Sequence, residues 1–393
     1  MSRWVWIFLL LVYSQAVDCQ RCKAYSSIYE PANNSDQIYK FQFREALQCR
    51  LVFHVFYSTP EEKLSSLQIY SQMEVLNRYF HEAVNSEDFN IPEPFRSLKA
   101  NPNIQFCLAD TTPAGEQTIG IEWIAINDLS IACKSEFGKR NLMHKNLGGV
   151  DVWDPKTYIN IFVINRNQCP VLGEAIYPWD ATLDEDGIFI DYRSVGAIGS
   201  AYGNKPFHQG KTLVHEMGHY FGLLHLSGDK SECTGDDGVS DTPVQDLEYY
   251  GCPGFPQIRC GQSSQYMNFM SLVDDACMHM FTKGQVNRMN EQIQLYRPEI
   301  GNMNCAIGSQ SGLEQIFIRQ DQMDWQLLTK NHKLFDSNLE LYDMNGRLRW
   351  KQQVKAALSI SLSAEILGVN PGVYFLLVSN KEEKLCYKLI LVR

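Results

Sequence analysis

Residues 215–225 read HEMGHYFGLLH, and this stretch holds three of the chain's nine histidines and one glutamate. On a helix, His215 and His219, four apart, project from one face a single turn apart. Two imidazole nitrogens so placed can meet one zinc ion at roughly 2.0–2.1 Å each. Glu216, one position further round, can reach water at the metal without being a ligand, which is where a general base belongs. Gly222 can take a positive φ and end the helix sharply. The chain then turns back, and His225 approaches the metal from outside the helix. Three neutral imidazoles leave a fourth position open, as catalytic zinc sites do and structural ones do not. The bare HExxH pattern arises by chance in roughly one chain of this length in a hundred, and the glycine and third histidine lower that to roughly two in a hundred thousand. Histidines that are merely packed or solvated are therefore the weaker account.

The elements that must position these residues come from the rest of the chain. Its 393 residues can bury a large core and suggest two or three domains. A net charge of -10 without a basic stripe argues against a nucleic-acid partner. The first residues, MSRWVWIFLLLVYSQA, carry one early positive charge, a short apolar run and a small-residue end at Ala16. That is the layout of a signal peptide over residues 1–16, and the run is too short to span a bilayer. Asp18 before Cys19 fits a lipidated cysteine poorly, and no later segment is apolar enough to be transmembrane. Twelve cysteines agree with export to an oxidising compartment. Four of them, Cys233, Cys252, Cys260 and Cys277, crowd a loop-rich stretch just after the histidines. Spacing alone leaves their three pairings open.

CRLVFHVFYS, NIQFCLA, YINIFVIN and DGIFIDY read as strands. A helix is predicted over SSLQIYSQMEVLNRYFHEAVN, with Ser65 and Gln68 spaced as a capping box. Alternation of strands and helices gives an α/β domain. TKGQVNRMNEQIQLYRP adds a helix closed by Pro298. Past Cys305 the pattern becomes all-β: Asn345-Gly346 lies between alternating runs, and a second hairpin closes the chain. Residues 312–393 are expected to form a small sandwich-type domain.

HExxHxxGxxH followed by a methionine in a turn, here Met270 in NFMSLVDDACMHMFT, is the signature of metzincin metalloproteases. From about Arg50 to Pro298 the chain resembles the pappalysin family, also through RLVFHVFYSTPEEK, QMEVLNRYF, VWDPKTYINIFVIN and DDGVSDTP. The resemblance implies a catalytic domain over 50–305, of α/β (α+β) type with a twisted mixed sheet and an active-site helix. It implies that His215, His219 and His225 hold zinc, that Glu216 is the base and that Met270 supports the site from below. The substrates would be proteins or peptides. Calcium would be held by the Asp237 side chain and the main-chain carbonyls of Ser240 and Thr242. A solvated acidic loop is the plain alternative there. The family's cysteine order implies the pairs Cys233–Cys260 and Cys252–Cys277.

Residues 17–49 are expected as a prosegment, and QRCKAY within them resembles the short cysteine-bearing prosegments of related zymogens, in which Cys22 would occupy the open zinc position and keep the enzyme latent. Pairing of Cys22 with Cys19 or Cys49 is the alternative. The C-terminal segment, with GVYFLLVSN and a basic-apolar end, is similar to sorting domains of the type IX secretion system. It implies an outer-membrane export machinery as partner; an accessory binding sandwich is the alternative. One departure stands out. Relatives place a tyrosine two residues after the turn methionine, where its hydroxyl helps stabilise an oxyanion, and this chain has Leu272. Loss of such a donor costs on the order of a hundredfold in rate, which leaves open a catalytically silent relative that binds proteins or surfaces. Asp274 and Asp275 are candidates for an acidic specificity pocket.

Overall fold

A computed structural model describes residues 20–22, 46–81, 90–127, 140–167, 169, 171–301, 316–321, 324–329, 335–357, 359–362, 367–370, 372–379 and 384–391. The expected signal peptide, Cys19 and most of the expected prosegment lie outside the described residues.

The N-terminal domain is built on a seven-stranded mixed sheet. Its strands are β1 (Gln20–Cys22), β2 (Leu47–Tyr57), β3 (Ile104–Leu108), β4 (Ile121–Ala125), β5 (Tyr158–Ile164), β6 (Val171–Ala175) and β7 (Ile188–Asp191). They lie in the order β1-β6-β7-β5-β2-β3, with β4 also on β2. One edge of β2 is shared: β3 pairs along Leu47–Leu51 and β4 along Phe53–Tyr57, both parallel. Every residue of β5 is buried, as expected of a strand covered on both faces. Strand β6 alone runs antiparallel to its neighbour β7, and β1 pairs parallel to its outer edge. β2 reaches back to Leu47, into the stretch expected as prosegment.

Helix α1 (Ser66–Phe80) packs on the sheet through Ile69, Met73, Leu76 and Phe80. Ser65 caps it by accepting from Gln68 N. The expected capping box is only half formed, because the Gln68 side chain donates instead to Val195 O (2.9 Å) and Ser200 Oγ (2.9 Å). Helix α2 (Lys211–Tyr220) is buried along its whole length between α1, β6 and β7. Helix α3 (Lys283–Tyr296) has a complete capping box from Thr282 and Gln285. Among the described residues no helix is long and apolar enough to cross a membrane.

The C-terminal region is all-β. Strands β8 (Ile316–Asp321), β9 (Asp324–Thr329) and β12 (Ser359–Leu362) form one antiparallel sheet. Strands β10 (Phe335–Asp343), β11 (Leu348–Ala357), β13 (Gly372–Ser379) and β14 (Lys384–Leu391) form the other, in the order β11-β10-β13-β14. The turn between β10 and β11 holds Gly346 at φ +72°, as the Asn-Gly pair predicts.

Candidate metal centre and active site

His215 and His219 stand on α2, and the chain reverses after it at Gly222, φ +87°. A side chain there would also strike Gln292 Cγ, 2.5 Å from an ideal Cβ. Two hydrogen bonds close the turn, Gly222 N to His219 O (2.8 Å) and Leu223 N to Gly218 O (2.9 Å). Arg288 Nε on α3 holds the Gly222 carbonyl at 2.8 Å. His225 is thereby brought against the helix.

The three Nε2 atoms form a triangle with sides of 3.1, 3.2 and 3.3 Å. Three nitrogens about 2.05 Å from one tetrahedral ion stand roughly 3.3 Å apart, so the donor set fits zinc. All three rings are buried. Burial, helped by the neighbouring His225, pushes the His219 pKa down to about 3, which keeps it neutral as a ligand must be. On His225 burial acts in the same sense, but Asp229, Glu248 and Glu216 outweigh it and raise its pKa.

Each ring is held from behind. His215 Nδ1 donates to Phe269 O (2.6 Å), His219 Nδ1 to Leu223 O (2.7 Å) and His225 Nδ1 to Asp229 Oδ1 (2.7 Å). Phe269 belongs to the turn carrying Met270, whose amide donates to Asn268 Oδ1 at 2.9 Å. Met270 is fully buried under α2, its sulfur against Gly218. Glu216 is also fully buried and lies over β6, where a Cβ on Gly173 would come within 2.4 Å of its Oε1. Gly173 is the register partner of Cys22 on β1. The backbone of β1 therefore runs beside the strand that faces the base.

Leu272 is buried and offers no hydroxyl. Tyr177, just past β6, has its hydroxyl 3.1 Å from His219 Nδ1. Its contact is to Nδ1, while Nε2 of the same ring is the nitrogen that meets the other two histidines. Asp275 is buried and accepts from Gln209 N just ahead of α2, at 2.7 Å.

In the acidic loop, Asp237 Oδ1 accepts from Val239 N (3.0 Å) and Thr242 Oγ1 (2.8 Å). Its Oδ2 is buried with no hydrogen-bond partner among the described residues, and burial lifts its pKa to about 7. Ser240 is exposed. The disulfides are Cys233–Cys260 and Cys252–Cys277. Cys107 and Cys169 are disulfide-bonded as well, whereas Cys49 keeps its thiol, pushed up to about 12 by burial.

With this geometry the domain is a metzincin-type zinc metalloendopeptidase. A family profile described as Pregnancy-associated plasma protein-A matches residues 143–294. Mature mirolysin of Tannerella forsythia, solved with a cleaved peptide, superposes with a TM-score of 0.58 at 34% identity, covering 66% of this chain and 99% of that one. Promirolysin of the same organism gives a TM-score of 0.59, also at 34% identity, with 66% of this chain and 88% of that one covered. An extracellular metalloprotease of Arthroderma otae is 29% identical over 231 residues, 56% of this chain and 78% of the relative. The chain belongs to the pappalysin family.

Asp229, Gly173 and Tyr177 were not singled out by the sequence. Asp229 follows His225 by four, the one signal available, but outside a helix that spacing carries no geometry. Gly173 and Tyr177 reach the site only through the sheet.

Proposed function

We propose that the protein is a secreted zinc endopeptidase, made as a zymogen, that hydrolyses peptide bonds with Glu216 as general base. The observation that carries this reading is the buried Nε2 triangle with Glu216 beside it. Zinc held there supplies Lewis acidity and activates water. Glu216 takes the proton of the attacking water and returns it to the leaving amine. Burial strengthens that exchange by keeping bulk water from the carboxylate.

Latency is supported by β1, which lies along the edge of β6 with Cys22 level with Gly173. A strand there occupies the edge that an extended substrate would use. The names of extracellular relatives and the apolar N-terminus support secretion. The all-β C-terminal region supports its reading as a sorting domain for an outer-membrane export machinery. Calcium at Asp237, with main-chain oxygens of Ser240 and Thr242, would neutralise a buried carboxylate that has an oxygen to spare. Leu272 favours a second reading, a silent relative that binds proteins or surfaces.

The test is digestion of a peptide library by protein trimmed of its N-terminal segment, beside untrimmed protein and Glu216→Ala. Cleavage by trimmed wild type alone is expected, with Glu216→Ala slower by on the order of a thousandfold or more. Absence of cleavage in every sample with zinc bound would select the silent reading.

A further inference from the structure

The three rings of the metal centre are not supported alike. His215 and His219 stand on a buried helix, and their Nδ1 protons go to main-chain carbonyls. His225 has no helix to hold it, and its Nδ1 meets a carboxylate, Asp229 Oδ1, at 2.7 Å. With Nε2 turned to the metal point, the proton of the neutral ring sits on Nδ1 and is donated to Asp229.

The backbone under Asp229 is unusual. It sits at φ +57°, one of three non-glycine residues with positive φ among the described residues, directly after Gly228 at φ +58°. A left-handed residue with a side chain costs roughly 1–2 kcal/mol and persists only where the surroundings fix it. Here they do. Gly228 N donates to His225 O (2.9 Å), Asp229 N to Ser227 Oγ (3.2 Å) and Ser227 N to the half-buried Glu248 (3.1 Å). A Cβ on Gly228 would meet Asp236 O at 2.4 Å, so the turn is also pinned against the acidic loop. The stretch HLSGD folds into a hook whose result is to aim one carboxylate at the back of one ligand.

We propose that Asp229 is a positioning residue of the metal centre, fixing the tautomer and tilt of His225 and making it a stronger ligand than a loop histidine would otherwise be. The inference rests on the zinc-site reading, but not on proteolysis. Carboxylates behind metal-binding histidines are worth 10–100-fold in metal affinity in other proteins. The strained φ separates this role from a merely structural one. If Asp229 only shaped the turn, Asp229→Gly would relieve the left-handed backbone at no loss to the metal.

The experiment titrates zinc against a chromophoric chelator for wild type, Asp229→Gly and Asp229→Asn, alongside thermal unfolding of the metal-free proteins and visible spectra with cobalt in place of zinc. Expected are a 10–100-fold weaker zinc affinity for Asp229→Gly, an unchanged or raised metal-free Tm and a shifted cobalt spectrum. Asp229→Asn, which tolerates the left-handed backbone and keeps an acceptor, is expected to lose less. Zinc affinity within threefold of wild type in Asp229→Gly overturns the proposal, and a larger loss supports it. If that variant does not fold, Asp229→Asn is judged by the same threefold criterion. Because the readout is metal binding, a wild type that binds zinc but cleaves nothing would sink the protease reading and leave this one standing.

Discussion

Gly218 sits inside α2 between the two histidines of the helix, where glycine costs about 1 kcal/mol relative to alanine. The reason is below it: a Cβ at this position would lie 2.5 Å from Met270 Sδ and 3.4 Å from its Cε. The helix gives up a side chain so that the methionine turn can press against its backbone. In Gly218→Ala the gain in helix propensity is expected to be outweighed by overpacking, which costs about 1–3 kcal/mol in tight cores. Thermal unfolding should show a lower Tm, and dialysis should show faster zinc loss as the turn carrying Phe269 O is displaced from His215. A raised Tm with zinc retained would mean that Met270 yields freely and supports nothing. At this scale the sequence was legible where one helix supplies the geometry. His215, Glu216 and His219 have positions dictated by 3.6-residue periodicity, and Gly222 by its freedom at positive φ. It was illegible where the partner arrives from elsewhere. Nothing in VLGEA announces that Gly173 faces Glu216, and nothing near Tyr177 announces His219.

Between residues and the whole lies the turn that links β2 to α1. Glu62 is buried there and accepts from Ser58 N (2.6 Å), Ser58 Oγ (2.8 Å), Thr59 N (3.1 Å) and, through its other oxygen, Asn165 Nδ2 (2.7 Å) at the end of β5. Burial alone would raise its pKa, but these donors together outweigh burial and lower it. A carboxylate with a depressed folded pKa contributes stability that is complete above the unfolded value, about 4.3, and is lost as pH falls through the folded value. Glu62→Gln is therefore expected to lose about 1–3 kcal/mol near neutral pH. The gap to wild type should narrow as pH falls below the unfolded value and close below the folded one. Unfolding by urea at pH 7 and pH 3.5 checks both halves, and a gap that stays constant with pH would remove the carboxylate from the account. Strands β2, β5 and β7 were legible because each is a compact apolar run, as strands covered on both faces are. Strand β6 was missed because Gly173 and Glu174 interrupt its apolar pattern. The two-residue pairing of Lys99–Ala100 with Phe281–Thr282 was missed too, since partners so far apart in sequence leave no local trace.

The two domains meet at a small apolar contact. Ile198, Phe375 and Leu377 are buried together, with Tyr70, Tyr342 and Met344 packed around them, and Gly199 N donates to Met344 O at 3.0 Å. Tyr70 lies on α1, and Ile198 belongs to the segment that runs from β7 to α2. Gln68 and Gln72 grip that same segment, Gln72 through Gly196 N (2.6 Å) and Gly210 O (3.1 Å), the latter just before the zinc helix begins. The C-terminal sheet thus leans on the strip of chain that sets the start of α2. The glutamine clasp, internal to the catalytic domain, is expected to hold that strip in place when the C-terminal sheet is separated from it. Phe375→Asp places an unpaired charge in the contact, and burying one is costly enough to separate the surfaces. Hydrogen exchange should then rise at the Gly199 amide, which loses its acceptor, while Gly196, held by Gln72, and Ser200, held by Gln68, stay protected and zinc affinity is unchanged. Protection lost as far as Lys211, with zinc loosened, would show instead that the catalytic domain depends on its C-terminal partner, against the proposed reading of these strands as a sorting domain.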